Sequence, residues 1–416
     1  EMGNAQSTSI VDMGTAFALS TSVFGTNHLM LSGNLGYSPA NGLPAAGFRT
    51  AFRRMEDPDS PWNPEIKLTV QQVFLPMHSR ERFGGGGLSD IRSMSIGFSD
   101  QVRLSENVTV EGGASLDSIS VLSKMTYVSP FALLSVDLDE WGSIEAGFSS
   151  GIPQTEMYRS RRGMLQNEGG TNLHQNVSAL SLMPRISMRD GNMRVQRTEN
   201  FEITYHKQLG SRTLSAGVFR ESLTNAALTM ASNGFFPNDA IPDFNSNSAI
   251  FNIGDFARTG FSIAGTQRFG DLLSLSLIMS NGGVLRTDER VLSSDQPQAI
   301  RQSIRQSRQN AVSAMISGII PKSGTRYAMS YQWTDYRSLT PGHLFLTNLS
   351  SPDAGLNFSI RQRVPAPSFM AGRMEISAEM RNLMAQGYLP LETADGRRLL
   401  LIHTPRALRG GISFFF

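Results

Sequence analysis

Hydrophobic and polar residues alternate with a period of two over most of the chain. Residues 273–280 carry Leu or Met at every second position, with Ser or Ile between them. Residues 201–206 alternate Phe, Ile and Tyr with Glu, Thr and His, and residues 373–381 alternate Met, Ile and Ala with Glu, Ser and Arg. Because successive side chains of a β-strand point to opposite faces, the pattern predicts antiparallel strands with one apolar and one polar face.

The pattern marks 17 segments, and we expect 16 to 18 strands. The segments lie near residues 14–24, 28–38, 45–55, 65–75, 91–104, 107–118, 123–136, 141–150, 200–208, 212–222, 258–268, 272–282, 308–320, 325–336, 355–364, 372–382 and 408–416. Membrane barrels of one bacterial chain normally have an even number of strands. The odd count therefore leaves three explanations: an extra strand in 1–13, a miscount in 151–199 or 383–407, or a part of the barrel upstream of Glu1.

Two features favour a membrane barrel over a soluble sandwich. The apolar face ends in aromatic residues, as at Tyr327, Trp333 and Tyr336, which is typical of an interfacial girdle. Connections also alternate in length. Short turns lie near 104–106, 138–140, 209–212, 269–271 and 321–324, and long polar connections near 76–90, 151–199, 223–257, 283–307 and 337–354. The prediction is an all-β fold, a single transmembrane antiparallel β-barrel over residues 1–416 with long extracellular loops, of which 151–199 and 223–257 are the main excursions.

Composition excludes several classes of protein. No run approaches the ~20 apolar residues of a membrane helix, and there is no cysteine for thiol chemistry. The net charge of +2 implies no nucleic-acid partner. Residue 1 is glutamate and no leader follows it, so we expect a processed product or a fragment.

Nothing in the sequence indicates catalysis, a metal or a cofactor. The six histidines form no HExxH or His-x-His arrangement, and there is no GxSxG elbow. The glycine run 84–87 has no strand–helix context and is interpreted as a loop tip. The chain is therefore predicted not to be an enzyme.

Two groups of residues are candidates for solute contacts. The first occupies polar positions of predicted strands and is expected to line the lumen: Glu202, Thr204, His206, Glu375, Ser377 and Glu379. The second lies in the excursions and is expected to contact a ligand: Tyr158, Arg159, Arg161, Arg162, Phe235 and Phe236. The arginines, with others at 286–308, either bind an anionic ligand or lipopolysaccharide phosphates, or form an ordinary solvated loop. The loop phenylalanines either gate the lumen or form a binding surface.

The last strand ends in aromatic residues. Ile412, Phe414 and Phe416 alternate outward, and such a strand is expected to be the outer-membrane assembly signal read by the barrel-assembly machinery.

Two stretches of the sequence resemble one known family. Residues 195–222 and 373–416 look like strand pairs of the barrel of TonB-dependent outer-membrane receptors, including an acidic-aromatic strand at 199–205 and a final segment PRALRGGISFFF. The nearest relatives expected are receptor-like barrels with an amino-terminal carboxypeptidase-regulatory-like domain. Complete receptors have 22 strands, a plug and a TonB-binding segment, and no plug-like βαβ unit is found in 1–60. The resemblance therefore implies a barrel without its upstream plug.

The resemblance implies a bacterial outer-membrane barrel that binds or passes a solute through a polar lumen. Expected partners are outer-membrane lipid and lipopolysaccharide, the assembly machinery, and a small solute or a protein. The alternative is a non-transporting scaffold or adhesion barrel whose loops bind a partner.

Overall fold

A computed structural model describes most of the predicted strands and part of the connections between them. The described residues are 13–24, 27–38, 43–54, 62, 64–74, 90–121, 123–152, 180, 184–232, 236–243, 248–287, 291–292, 296–333, 338–339, 347, 355–365, 373–384, 386–393, 398–402 and 406–415. Within these ranges no helix is long and apolar enough to cross a membrane.

The described residues are almost entirely strands, with a short α-helix and a 3-10 turn at Asp139–Trp141. In chain order the elements are β1 (Met13–Val23), β2 (Asn27–Ser38), β3 (Leu43–Arg53), β4 (Glu65–Phe74), β5 (Asp90–Ser105), β6 (Val108–Ser120), β7 (Lys124–Asp137), β8 (Ser143–Gly151), β9 (Ile186–Arg189), β10 (Asn192–Val195), β11 (Arg197–Leu209), β12 (Arg212–Ser232), β13 (Ile241–Asp243), β14 (Ser248–Phe269), β15 (Leu273–Thr287), β16 (Val291–Leu292), α1 (Pro297–Ser303), β17 (Ile304–Ile320), β18 (Thr325–Trp333), β19 (Gly355–Val364), β20 (Arg373–Arg381), β21 (Tyr388–Thr393), β22 (Arg398–Ile402) and β23 (Ala407–Phe415).

One sheet of 21 strands contains all of these strands except β9 and β10. Four strands of this sheet belong to the excursions: β13, β16, β21 and β22. The other 17 strands of the described part of the chain pair antiparallel, each with the next of the 17 in chain order. We call these 17 strands the wall. The predicted all-β antiparallel fold is confirmed, and each predicted segment corresponds to one wall strand.

The wall has its apolar side chains outside and its polar side chains inside. On β11, Phe201 is 52% exposed whereas its neighbour Glu202 is 1% exposed. On β5, Met94, Ile96 and Phe98 are exposed while Ser93 and Ser99 are buried. This is the reverse of a soluble protein, where the apolar face is the buried one. We call the face that carries Glu202 the inner face.

Tight turns join the strands at one edge of the wall. The turns between β11 and β12 and between β14 and β15 each place a glycine in the left-handed conformation, Gly210 and Gly270 with φ of 60°. Glycine reaches this conformation without the steric cost of a Cβ. These turns confirm the short side of the predicted alternation in connection length.

The long excursions contain more regular structure than the sequence suggests. The predicted connection 223–257 is largely a β-ribbon, because β12 continues to Ser232 and β14 starts at Ser248. Its apolar side chains, among them Leu228, Met230 and Phe251, are buried in a hydrophobic cluster beyond the wall. Burial of this apolar surface stabilises strand structure where the sequence pattern indicates a polar connection.

Candidate functional site: the inner face and the excursions that contact it

The lumen candidates on β11 lie in the middle of the inner face. Glu202 and Thr204 are both buried, and Glu202 is seven residues from the end of the strand at Leu209. That separation corresponds to about 23 Å of extended chain. The two side chains therefore lie deep along the strand, far from the short turn.

A residue of a distant connection contacts both of them. Thr347 follows β18 in sequence, and four wall strands separate β18 from β11. The Thr347 hydroxyl donates to Glu202 Oε2 at 3.0 Å, and its oxygen lies 2.9 Å from Thr204 Oγ1. Thr347 is itself fully buried. The connection between β18 and β19 thus reaches the inner face of β11, a contact that the two-residue period does not indicate.

The other lumen candidates also occupy inner-face positions. His206 lies beside Glu145 of β8, with Nε2 3.4 Å from Oε2. Glu379 pairs with Arg381, with Nε 2.6 Å from Oε1, and Ser377 donates to the Gly411 carbonyl oxygen at 3.4 Å. The six candidates form two groups: three side chains on β11, and three on β20. Whether a solute contacts them remains a prediction.

The excursion after β8 is anchored to the inner face by hydrogen bonds. Ser129 Oγ donates to Asp117 Oδ2 at 2.8 Å and accepts from the Ile152 N–H at 3.0 Å. Farther along the same excursion, the Leu180 carbonyl oxygen accepts from Gln71 Nε2 at 2.8 Å. Sequence analysis missed these anchors, because a serine or glutamine on a polar strand face does not identify its partner.

Several buried charges of the inner face have compensating partners on the same strand or on a neighbouring one. Glu65 Oε2 is 3.0 Å from both Arg53 Nη2 and Lys67 Nζ. Glu221 pairs with Arg258, whose guanidinium also lies 5.6 Å from the centre of the Phe219 ring. Burying an unpaired charge is costly, so these pairs allow charged residues to occupy a buried position.

A cap of strands covers part of the wall at its long-connection side. The hairpin of β21 and β22 belongs to the connection between β20 and β23, yet β22 pairs with β12 from Thr229–Ile402 to Ser232–Leu399. Leu389, Leu399 and Leu401 of this hairpin are fully buried in the same cluster as Met230. We call this cluster and the hairpin the cap.

The excursion candidates are described only in part. Tyr158, Arg159, Arg161, Arg162 and Phe235 lie outside the described residues. Phe236 is half-buried and packs against the cap. Among the arginines at 286–308, Arg301 on α1 pairs with Asp239 at 2.8 Å and lies 5.2 Å from the Phe251 ring centre. For Arg301 the contacts favour a structural position over an anion-binding one.

The proposed assembly strand is exposed on its outer face. Ile412 and Phe414 are exposed on β23, while Phe416 lies outside the described residues.

Within the described part of the chain, no three His, Asp or Glu side chains come together as a metal site. The contacts that the described inner-face side chains make include hydrogen bonds and ion pairs.

Comparison with known proteins adds a likeness to solved structures only. No family model and no curated protein matches the chain. It is similar to the FrpB iron transporter from Neisseria meningitidis (12% identity, 97% of this chain, 64% of that one, TM-score 0.43). It is also similar to the siderophore receptor PirA from Pseudomonas aeruginosa (12% identity, 97% of this chain, 64% of that one, TM-score 0.45). The outer membrane transporter YddB from Escherichia coli is similar as well (10% identity, 97% of this chain, 62% of that one, TM-score 0.42).

The chain therefore spans less than two thirds of the length of these structures, 62 to 64%. The antiparallel architecture itself stands on the strand pairings of the chain.

Proposed function

We propose that the chain is the barrel of a bacterial outer-membrane receptor or transporter, which binds a solute and passes it along its inner face. The observation that carries the proposal is the reversed polarity of the wall, with Phe201, Leu277 and Ile263 exposed outward and Glu202 and Ser262 buried inward. Outside the wall, a bilayer would cover the apolar side chains. Inside it, the polar face would offer hydrogen bonds to a hydrophilic solute.

The roles of individual residues follow from their position. Glu202, Thr204 and His206 would contact the solute midway along the wall, and Glu375, Ser377 and Glu379 would contact it on β20. The excursions 151–199 and 223–257 would provide the first contacts on the outside. The anchors of the excursion 151–199 at Ser129 and Gln71 support a direct link between that excursion and the inner face.

The remaining proposed partners belong to the membrane. Outer-membrane lipid and lipopolysaccharide would contact the outward apolar face. The barrel-assembly machinery would bind the last strand, whose Ile412 and Phe414 are exposed.

Conductance of the protein in a planar lipid bilayer tests the proposal. The 416-residue chain is first shown to be folded by its heat-modifiable gel mobility and is then reconstituted. Steady single-channel steps are expected, and Glu202→Gln should change the ratio of cation to anion permeability because a buried carboxylate is lost. A matched Glu140→Gln variant at an exposed short turn should leave that ratio unchanged.

A second candidate function is a non-transporting scaffold or adhesion barrel. The observation behind it is the Thr347 contact, because a connection that reaches the middle of the inner face would reduce the space for a solute. A folded protein that conducts no current, in the parent form and in a Thr347→Val variant, would favour this candidate over passage.

A further inference from the structure

The inner face carries a row of four residues, of which the proposed transport path uses only Ser377. Arg326 of β18 lies directly opposite Arg361 of β19, Arg361 opposite Ser377 of β20, and Ser377 opposite Gly411 of β23. We call these four residues the arginine row. Arg326 is the second residue of its strand, so the row lies near the short turns. Like charges directly opposite on neighbouring strands repel each other.

The two arginines differ from the ion-paired charges of the inner face because they lack a compensating carboxylate. Glu65, Glu221 and Glu379 each have a basic partner. Within the part of the chain that the structure describes, no carboxylate pairs with Arg326 or Arg361. Both side chains are nevertheless half-buried. Two arginines directly opposite each other without a counter-charge are suited to an anion.

The surrounding strands strengthen this positive character. Among the described inner-face positions of β18, β19, β20 and β23 there are five arginines (Arg326, Arg361, Arg363, Arg381 and Arg409) against two glutamates (Glu375 and Glu379). The described inner-face positions of β8, β11 and β12 carry Glu145, Glu202 and Glu221 without any Lys or Arg. The part of the inner face around the row is therefore more positive than the part formed by β8, β11 and β12.

The end of the row provides a further hydrogen-bond donor. The Ser377 hydroxyl makes only a long hydrogen bond, 3.4 Å, to the Gly411 carbonyl oxygen. Gly411 has no side chain, and a Cβ there would approach Ser377 Oγ to 3.2 Å. A ligand oxygen beside Arg361 would therefore find a hydroxyl that can turn toward it.

We propose that Arg326 and Arg361, with Ser377, form a binding site for a phosphate or carboxylate group of an anionic solute. A role of this site in passage of the solute rests on the proposed transport function. Binding of the anion to the site does not require an open lumen. Rings of arginine select anions in other pores by the same electrostatic means.

Thermal unfolding with inorganic phosphate tests binding directly. The protein in detergent micelles is heated in sodium phosphate or in sodium chloride of equal ionic strength, and the loss of folded gel mobility gives the midpoint. Phosphate is expected to raise the midpoint by roughly 2 °C, because a ligand that binds the folded state stabilises it. The Arg326→Gln/Arg361→Gln double variant should lose this rise, because it lacks the proposed site. Its midpoint in chloride should not fall, because the substitutions remove the repulsion between the two arginines.

The control is Arg103→Gln, which removes an inner-face arginine near the short turns that lies opposite Thr109 instead of another arginine. This variant should keep the phosphate effect. An equal rise in the parent protein and the double variant, or no rise in the parent protein, would overturn the proposal.

Ion selectivity separates failure of this site from failure of the transport function. In a bilayer under a KCl gradient, the double variant is expected to lower the anion-to-cation permeability ratio at least about twofold, and Arg103→Gln to lower it less. A phosphate effect on unfolding without any conductance would support the anion site and count against passage.

Discussion

Some buried charged side chains of the inner face are paired directly across neighbouring strands. Arg258 and Glu221 lie directly opposite each other on β14 and β12, and both are buried. Removing one member of such a pair leaves the other charge without compensation, whereas removing both does not. The stability of the wall should therefore respond to these residues in pairs.

Glu221→Gln is expected to lower the free energy of unfolding by about 3 kcal/mol, and the Glu221→Gln/Arg258→Met double variant by clearly less. Urea unfolding of the folded protein in lipid vesicles measures both. The control pair is Arg92 and Asp90, whose arginine is largely exposed, so that Arg92→Gln should cost under about 1 kcal/mol. A double variant that loses as much as the sum of its single variants would contradict coupling between the two residues.

Glycines beside Phe219 respond to substitution according to the space around them. A Cβ on Gly260 would lie 2.5 Å from the Asn281 carbonyl oxygen and 2.5 Å from Phe219 Cζ, whereas one on Gly282 would meet only Phe219 Cζ, at 3.4 Å. Gly260→Ala should therefore cost about 1–3 kcal/mol of unfolding free energy, and Gly282→Ala should be close to neutral. Urea titration compares them, and equal midpoints would contradict this packing.

At the scale of elements, the sequence predicts the wall well and the excursions poorly. The alternation at 200–208 and 355–364 is a local property, and it marks β11 and β19 to within a few residues. The strands β21 and β22 are stabilised by contacts with β12, far away in sequence, so no local period indicates them. For the same reason the inner-face positions of Glu202 and Thr204 could be predicted, whereas their contact with Thr347 could not.

The cap should be separable from the wall by one substitution in its core. Leu401 is fully buried between β22 and β12, and Leu401→Asp would bury a carboxylate there. We expect the hairpin β21–β22 to become sensitive to protease while the wall keeps its folded gel mobility. Leu400→Asp, at a half-buried neighbouring position, is the control and should resist cleavage as the parent protein does. Loss of folded mobility in Leu401→Asp would show that the wall requires the cap.

At the scale of the whole molecule, polarity is arranged for two different surroundings. The outer face exposes large apolar side chains on strands from β1 to β23, such as Phe17, Ile263 and Ile412. The inner face buries charges and hydroxyl groups on many of the same strands. In water, this outer face would be an apolar patch far larger than soluble monomers expose. In the proposed membrane location, lipid covers these apolar side chains instead of water. The effect of a charge introduced on the outer face then depends on its depth in the bilayer.

Leu277 and Leu209 distinguish a bilayer from water around the outer face. Both are exposed, 55% and 47%, but Leu277 lies within β15 and Leu209 at a short turn. In water, Leu→Arg at either position would change stability little. In a bilayer, Leu277→Arg should cost about 2–4 kcal/mol and Leu209→Arg about 0–1 kcal/mol, because the cost of a charge rises toward the midplane. Urea unfolding in lipid vesicles measures both, and equal small costs would contradict a lipid-facing wall.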